Sequence, residues 1–396
     1  MIDREATYCR IIDPDNDDLI DTGIVLFFAA PGSFTGEDCA EFQVHGSPAV
    51  IKRLIRSLAC FPKTRLAEPG EFIRRAFENG KMALTSVEGV ADLIDARTEA
   101  QRKQALAQAG GHLADESAKW RELLLEALAF LDAEIDFSDE GEAPTGVVSQ
   151  VLSLCRLLLS QLEAALADAG RSERVRSGYR VVIAGLPNAG KSSLMNALVR
   201  RDVTIVTEHP GTTRDIIEVE FDLNGFSIVV CDTAGVRETV DPVEKIGVAR
   251  TRAALRSADL IIWLADARGE APQLDSGTPA LIVASKMDLV ASMPEWADVG
   301  MSIGDENRIE ALKQRVAELA AAELAGEPPL ITNERHRMHI ENAARQLSGV
   351  MAIQTVSIEL LAEDIRRCAI TLSALSGNVG TEDVLGAIFS RFCMGK

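Results

Sequence analysis

The chain lacks several features that define particular classes of protein. Its seven cysteines include no Cys-x-x-Cys pair, which argues against a zinc site or a disulfide framework and favours a reducing cytoplasm. No apolar run approaches the roughly 20 residues of a membrane-spanning helix, and residues 1–5 do not resemble a signal peptide, so we expect a cytoplasmic protein. The formal net charge of −19 argues against broad, sequence-independent binding to nucleic acid, and an RNA substrate would require a local basic patch or a basic partner.

The chain has 396 residues of ordinary globular composition. It divides into stretches that differ in their secondary-structure pattern. From Thr85, whose spacing to Glu88 is that of a capping box, helical patterns follow one another, the first of them running to about residue 109. Beyond Tyr179, short apolar strands alternate with helices, which is typical of a parallel doubly wound sheet. We therefore predict a multidomain α/β plus all-α protein: a small α/β domain, a helical domain in two halves, and a doubly wound domain inserted between those halves, at residues 1–80, 81–177 with 329–396, and 178–328.

Residues 185–192 read G-L-P-N-A-G-K-S, between an apolar run and a helical one. A strand, a glycine-rich turn and a helix start form a phosphate cradle, in which successive backbone N–H groups surround the phosphates. Lys191 would reach the terminal two phosphates and the Ser192 hydroxyl would bind Mg²⁺. The cradle predicts a bound nucleoside triphosphate and leaves the base open.

Two further motifs follow in the order that a GTPase requires. The segment 207–215, T-E-H-P-G-T-T-R-D, supplies Thr213 to complete the Mg²⁺ shell and to sense the γ-phosphate. The segment 232–235, D-T-A-G, supplies Asp232 for the metal through water and the Gly235 amide for the γ-phosphate.

The last motif, Lys286-Met-Asp288, follows another apolar strand. The Asp288 carboxylate can accept two hydrogen bonds from the edge of guanine, which adenine cannot offer. The four motifs together therefore predict a guanine nucleotide.

Three residues bear on how hydrolysis would be catalysed. Val236 stands where a Ras-type GTPase carries the Gln that orients the attacking water, so catalysis must come from elsewhere. Asn188 could bind K⁺ through its neutral side-chain oxygen, together with carbonyls of the 207–212 loop, or it could only cap the turn. Glu244 could position water, or it could be a solvated surface side chain. The residues alone leave both alternatives open.

These motifs, with V-E-K-I-G at 243–247, resemble the MnmE (TrmE) family of tRNA-modification GTPases. The resemblance extends beyond the nucleotide motifs. The chain closes on F-C-M-G-K at 392–396, close to the family's Cys-Ile-Gly-Lys. The segments that resemble the family's N-terminal folate-binding domain are residues 31–38, 41–46, 68–72, 75–81 and 90–94.

The resemblance implies a Ras-like GTPase domain within a cytoplasmic homodimer, which hydrolyses GTP to GDP and phosphate. With an FAD-dependent MnmG (GidA)-type partner, the enzyme would place an aminomethyl or carboxymethylaminomethyl group on C5 of the tRNA wobble uridine, and the tRNA would bind mainly through the partner. A tetrahydrofolate derivative, in its 5-formyl or methylene form, would supply the one-carbon unit. K⁺-dependent pairing of two GTPase domains would activate hydrolysis.

Two alternatives remain beside this hypothesis. One is a GTP-regulated binding switch in ribosome assembly, which the folate-like domain disfavours, as does the lack of a basic RNA-binding domain after the GTPase domain. The other is a degenerate copy of the enzyme with weak GTPase activity.

The resemblance also implies roles for individual residues. Lys191 and Glu244 would act in catalysis, Glu244 by organising the attacking water, and Cys393 would be the cysteine needed for modification. Mg²⁺ would be bound by Ser192 and Thr213, and K⁺ by Asn188 with backbone oxygens of Thr207, His209 and Thr212. Folate contacts would be Glu41, Lys81 and Lys396. The GTP contacts would be Asn188, Ala189, Gly190, Lys191, Ser192, Ser193, Thr207, Thr212, Thr213, Asp232, Thr233, Ala234, Gly235, Ser285, Lys286, Asp288 and Ser302.

The sequence departs from the family pattern in three places. The family normally has a further strand–helix stretch with a Gly-Arg-Gly segment before the matched region, so we expect an incomplete folate domain over residues 1–80. Ser285 stands where the family has Asn, which predicts a guanine preference maintained by Asp288 with reduced affinity. Residues 301–304, M-S-I-G, replace the usual Ser-Ala pair.

Lys396 would favour a Cys393 thiolate, although a single Cys is more often an apolar filler.

Overall fold

The computed structural model describes residues 2–137, 146–202, 217–232, 254–272, 277–352 and 357–377. The chain forms two compact units. One unit combines residues 1–94, 107–160 and 339–396, and the other combines residues 95–106 and 161–338. The domain limits taken from the sequence pattern stay a prediction.

The first unit begins with an antiparallel sheet in the order β1-β2-β3, made of Thr7–Ile12, Leu19–Phe28 and Cys39–Gln43. Helix α1 (Pro48–Ala59) has Pro at its start and buries Leu54 against Ile11 and Val25 on one face of this sheet. This sheet and helix confirm the α/β character expected of the N-terminal part of the chain. Strand β1 and helix α2 (Glu71–Glu78) were not predicted.

The helical part of this unit contains α3 (Leu84–Asp95) and the long helix α5 (His112–Phe137). The prediction of one continuous helix over 85–109 is wrong, because the chain breaks at residues 96–98 and a separate helix, α4 (Glu99–Ala109), follows. The Thr98 hydroxyl accepts a hydrogen bond from the Gln101 amide at 3.4 Å, as an N-cap residue does.

Helix α11 (Ile358–Ser376) packs along α5. Buried side chains recur every three or four residues on both helices, which gives each an apolar face. Arg366 of α11 also donates to Asp132 of α5 at 2.7 Å, at the exposed margin of this contact. The buried side chains are Trp120, Leu124, Ala127 and Leu131 on α5, and Leu361, Ile365, Cys368 and Leu372 on α11.

One helical stretch, residues 147–177, is long and apolar enough by length and composition to cross a membrane, with a mean hydropathy of 1.2 over its most apolar window. The sequence did not predict this. Within it, α6 (Val147–Ala167) buries side chains at a spacing of three and four residues, so one face of the helix packs against the rest of the protein, although only 28% of the most apolar window is buried. These buried positions are Val147, Val151, Cys155, Leu158 and Leu162.

The second unit contains a six-stranded sheet in the order β5-β6-β4-β7-β8-β9. Its strands are β4 (Tyr179–Gly185), β5 (Ile217–Leu223), β6 (Phe226–Asp232), β7 (Leu260–Asp266), β8 (Ala280–Ser285) and β9 (Val299–Gly300). Four of the five neighbouring strand pairs run parallel, with β4 paired to β6 on one side and to β7 on the other. On the two sides of a strand like β4 the chain connections run in opposite directions, which leaves a crevice at its carboxyl end. Ligands bind in this crevice.

The sheet departs from the parallel arrangement at one edge, where β5 is antiparallel to β6. Only Asn224 and Gly225 connect the two strands, and both have positive φ, 53° and 88°. A two-residue Asn-Gly turn of this kind joins antiparallel strands, whereas a parallel pair needs a long crossover. The tip of this hairpin accepts a hydrogen bond from the Ala100 amide at Gly225 O, 2.9 Å, which holds the start of α4 in the second unit.

Three further helices belong mainly to the second unit: α7 (Ala169–Ser177), α8 (Lys191–Asp202) and α9 (Glu306–Leu324). Helix α10 (Glu334–Ala352) begins in this unit. Leu194 and Leu198 of α8 and Leu312 and Val316 of α9 are buried in the core that also contains the inward side chains of β4. This packing fixes the start of α8 directly after the end of β4.

Candidate nucleotide-binding site

The glycine-rich turn at 185–190 has a backbone that few residue types can adopt. Gly185 has φ 143°, and a Cβ there would collide with the carbonyl oxygen of Leu264 on β7, so only glycine fits. Asn188 and Gly190 are also left-handed, with φ values of 63° and 101°. Ala189 is buried and anchors the turn. The chain therefore turns sharply from the end of β4 into the first residue of α8, which places the backbone N–H groups of that helix start at the turn.

Lys191, the first residue of α8, is held against this turn. Its Nζ donates to the carbonyl oxygens of Gly185 and Leu186, at 2.9 and 3.0 Å. Ser192 and Ser193 follow it on the exposed side of the first helical turn. An ammonium group, backbone donors and a hydroxyl are thereby placed together, and this set suits a polyphosphate with its Mg²⁺ ion.

The predicted guanine motif lies at the end of β8, on the same carboxyl edge of the sheet. Asp288 lies in a 3₁₀ turn, Met287–Leu289, and its Oδ1 accepts a hydrogen bond from the Ser302 hydroxyl at 2.8 Å. The Met287 amide donates to Met301 O at 3.1 Å, which fixes the segment that carries Ser302 beside this turn. The structure thus brings together Asp288 and Ser302, which the sequence singled out fourteen positions apart.

Ser285 points away from this edge. It is only 1% exposed, and its hydroxyl donates to Ala265 O of β7 at 3.1 Å. Its one hydroxyl proton is therefore used inside the sheet. The reduced guanine affinity expected from Ser285 stays a prediction.

The sequence reasoning missed Asp266, the last residue of β7. Its Oδ2 lies 2.9 Å from Nζ of Lys286, and the carboxylate also binds the Arg268 guanidinium at 2.9 and 2.7 Å. Hydrogen bonds from Arg268, from Lys286 and from the Arg268 amide hold the pKa of Asp266 well below its usual range. The sequence did contain a signal for Asp266: it is an Asp at the end of an apolar strand, directly before a turn.

Two of the N-terminal segments that resemble a folate-binding domain also meet. Gly36 has φ 81°, and a Cβ there would press on the side chains of Lys81 and Asn79, so the loop approaches residues 79–81 closely. Arg75 forms ion pairs with Glu37 and Glu71, and hydrogen bonds from Arg65 and Arg75 lower the pKa of Glu71 to about 2. The contacts between the two segments are Arg75 with Glu37 at 2.9 Å, Asn79 with Thr35 O at 2.8 Å, and Lys81 with Pro31 O at 2.9 Å.

Glu41 lies on β3 directly opposite Leu26 of β2, on the face of the sheet away from α1. Because side chains alternate along a strand, Ile24 and its partner Tyr8 on β1 share this face. Tyr8 is 73% exposed and Ile24 36%. The folate candidates Glu41 and Lys81 therefore lie on a strand of the small sheet and beside the 31–38 loop, respectively.

Other predicted site residues lie outside the part of the chain that the structure describes. Asp232 is described only as the last residue of β6, in register with Ile183 of β4, which puts its backbone at the carboxyl edge of the sheet. The residues outside the described ranges are Thr207, His209, Thr212, Thr213, Thr233, Ala234, Gly235, Val236, Glu244, Cys393 and Lys396.

Comparison with known proteins gives two family models and many close relatives. The model "GTP-binding protein TrmE N-terminus" matches residues 2–81, and "MnmE helical domain" matches residues 84–393. A tRNA modification GTPase MnmE of Beijerinckia indica is 46% identical over 396 residues, 99% of this chain and 87% of that protein. Relatives with the same name from Phenylobacterium zucineum and Azorhizobium caulinodans are 46% and 45% identical, covering 99% of this chain and 91% and 90% of theirs.

Proposed function

We infer the reaction from one premise: this chain belongs to the MnmE family of tRNA modification GTPases. It is a GTP hydrolase that acts in tRNA modification. We propose that it works in the cytoplasm with an FAD-dependent MnmG-type partner, that together they modify C5 of the wobble uridine, and that K⁺ activates hydrolysis. The observation that carries the GTPase part is the joint placement of the 185–193 turn and the Asp288–Ser302 pair at one sheet edge.

In this proposal the chain's own residues bind and orient GTP. The first turn of α8 and the Lys191 ammonium bind the β- and γ-phosphates, and Asp288, held by Ser302, accepts from the guanine edge. Ser192 with Thr213 would hold Mg²⁺, which neutralises phosphate charge when it is bound. Because Val236 cannot orient water, Glu244 takes that task.

The donor set around Asn188 suits K⁺. Its side-chain amide oxygen is neutral and hard, and Asn188 is exposed at the turn between β4 and α8. Backbone oxygens of Thr207, His209 and Thr212 would complete the shell. With K⁺ held there, Asn188 and these backbone oxygens would place positive charge near the transition state, where other GTPases use an arginine finger.

We also propose a folate role for the small N-terminal domain, at residues 1–80, with Glu41, Lys81 and Lys396 as contacts and Cys393 acting in the modification step. The Lys81 ammonium is fixed by Pro31 O at 2.9 Å, which supports a defined anion contact for the glutamyl tail of a folate. The helical domain would comprise residues 81–177 and 329–396, with the GTPase domain at 178–328.

A homodimer through this domain is part of the proposal. The occupant of the sheet face around Tyr8 and Ile24 would be a second copy of the chain, because these large apolar side chains are exposed beside the folate candidate Glu41. We expect Tyr8→Glu with Ile24→Glu to yield monomers by light scattering, with GTP binding retained. Leu360→Glu, at a 63% exposed apolar residue of α11, is the matched control and should stay dimeric. A dimeric double variant would contradict this assignment.

Mass spectrometry of tRNA tests the whole reaction. A strain that lacks its own enzyme of this family is complemented with this chain or with Lys191→Ala, and the wobble uridine is measured in both. We expect modification to return only with the unchanged chain. Normal GTP turnover without modification would favour the degenerate copy, and a ribosome-assembly defect rescued without modification would favour the binding switch.

A further inference from the structure

The guanine motif of this chain is braced from β7. Asp266 and Ser285 are directly paired in the parallel register of β7 and β8. The Ser285 hydroxyl donates to Ala265 O at 3.1 Å, and Ser285 O accepts from the Ala267 amide at 2.9 Å. Because Ser285 is used entirely within the sheet, the position immediately before Lys286 contributes no side chain to the site edge.

Lys286 instead takes its position from Asp266. The Lys286 backbone is left-handed, with φ 59°, and its Nζ lies 2.9 Å from Asp266 Oδ2. A charge-assisted hydrogen bond at this distance removes most rotamers of the four-carbon side chain. The Lys286 methylenes are therefore held along the edge that leads to Asp288, where a base would lie.

Arg268 extends this group. Asp266 binds both Nε and one terminal nitrogen of its guanidinium, at 2.9 and 2.7 Å, which orients the planar group although its side chain is 54% exposed. The carboxylate of Asp266 and, more weakly, the charge of Asp288 raise the pKa of Arg268. Arg268 therefore lies within electrostatic reach of the carboxylate that reads guanine.

We propose that Asp266 is a positioning residue for base recognition: it fixes Lys286 and Arg268 around Asp288. The inference rests on the proposed binding of GTP at this site. Asp266 itself touches no substrate. It acts on affinity and on base discrimination, and it leaves the chemistry at the γ-phosphate unchanged.

The test measures binding of fluorescent N-methylanthraniloyl GDP and IDP to the full-length chain. We expect Asp266→Ala to raise the Kd for the GDP analogue about tenfold, the effect of losing hydrogen bonds between charged groups. The ratio of the Kd for the IDP analogue to the Kd for the GDP analogue should fall toward one. The two bases differ in the amino group that Asp288 recognises, which inosine lacks. Asp266→Asn keeps one acceptor for Lys286 and should lose less. Turnover at saturating GTP should stay the same.

A double-mutant cycle tests the route of the effect. If Asp266 acts through Lys286, then Asp266→Ala should cost no further affinity in a Lys286→Met background. Glu318→Ala removes a comparable surface ion pair, Arg315 to Glu318 at 3.0 Å on α9, and should leave both Kd values unchanged.

The outcomes separate this inference from the proposed function. If the protein without substitutions does not bind the GDP analogue, the assignment of the site is wrong. A chain that binds it, with Asp266→Ala and Asp266→Asn both equal to it in affinity and base preference, overturns the role of Asp266. An equal loss for both analogues together with a lowered melting temperature means that Asp266 only stabilises the fold, and likewise overturns it.

Discussion

Replacing Asn188 separates its two roles, as a K⁺ ligand and as a turn residue. Asn188 has φ 63°, a conformation that glycine adopts freely and that Asn tolerates better than most residues. Asn188→Ala therefore damages the turn and removes the amide oxygen. Asn188→Gly removes the amide oxygen and keeps the turn. The two variants differ only in the backbone cost.

The left-handed conformation gives the magnitude of that cost. Alanine with positive φ is disfavoured by about 1 kcal/mol, which corresponds to about a fivefold loss of nucleotide affinity if the turn must form before binding. In a pure turn role, Asn188→Ala would show this loss and Asn188→Gly would match the unchanged chain. In a ligand role, both variants would lose the K⁺ stimulation of GTP hydrolysis, and Gly would lose it as completely as Ala.

The assay compares phosphate release at saturating GTP in KCl and in NaCl at equal ionic strength. Affinity for fluorescent GDP, measured on the same samples, shows whether the turn is intact. We expect Asn188→Gly to bind GDP normally and to turn over GTP at the same rate in both salts. If Asn188→Gly keeps its K⁺ stimulation, Asn188 is not a cation ligand.

Three other changes have defined outcomes. Gly185→Ala should lower the free energy of unfolding by about 2 kcal/mol or more in thermal denaturation, because the new Cβ meets Leu264 O at positive φ, and an unchanged melting temperature would contradict the strained turn. Glu71 has its pKa lowered from 4.5 to about 2, so its ion pairs stabilise the fold above pH 4.5 and this stabilisation disappears as the pH falls toward 2. Glu71→Gln should therefore cost about 1 kcal/mol at neutral pH, after screening, and progressively less as the pH falls through 2, in urea denaturation. Ser302→Ala should weaken GDP binding about fivefold, because Asp288 loses its donor, and unaltered binding would remove Ser302 from the site.

Much of the site follows from local sequence. The turn at 185–190 and the strand before it were predictable because the glycines and the apolar run have local causes, positive φ and burial. The antiparallel edge strand was also readable, since Asn224-Gly225 between two apolar runs is a hairpin signal. Strand β9 was not, because a strand of two residues leaves no pattern.

The sequence by itself determined the family and the order of the nucleotide motifs, and it predicts the residues that bind phosphate and base, because each motif is short and its chemistry is local. The tertiary structure alone decided which way Ser285 turns and that Asp266 lies beside Lys286. Asp266 and Lys286 are twenty positions apart. They meet only because β7 and β8 pair in parallel with Asp266 opposite Ser285, the residue before Lys286. Such a register depends on the packing of the whole sheet, and no local pattern encodes it.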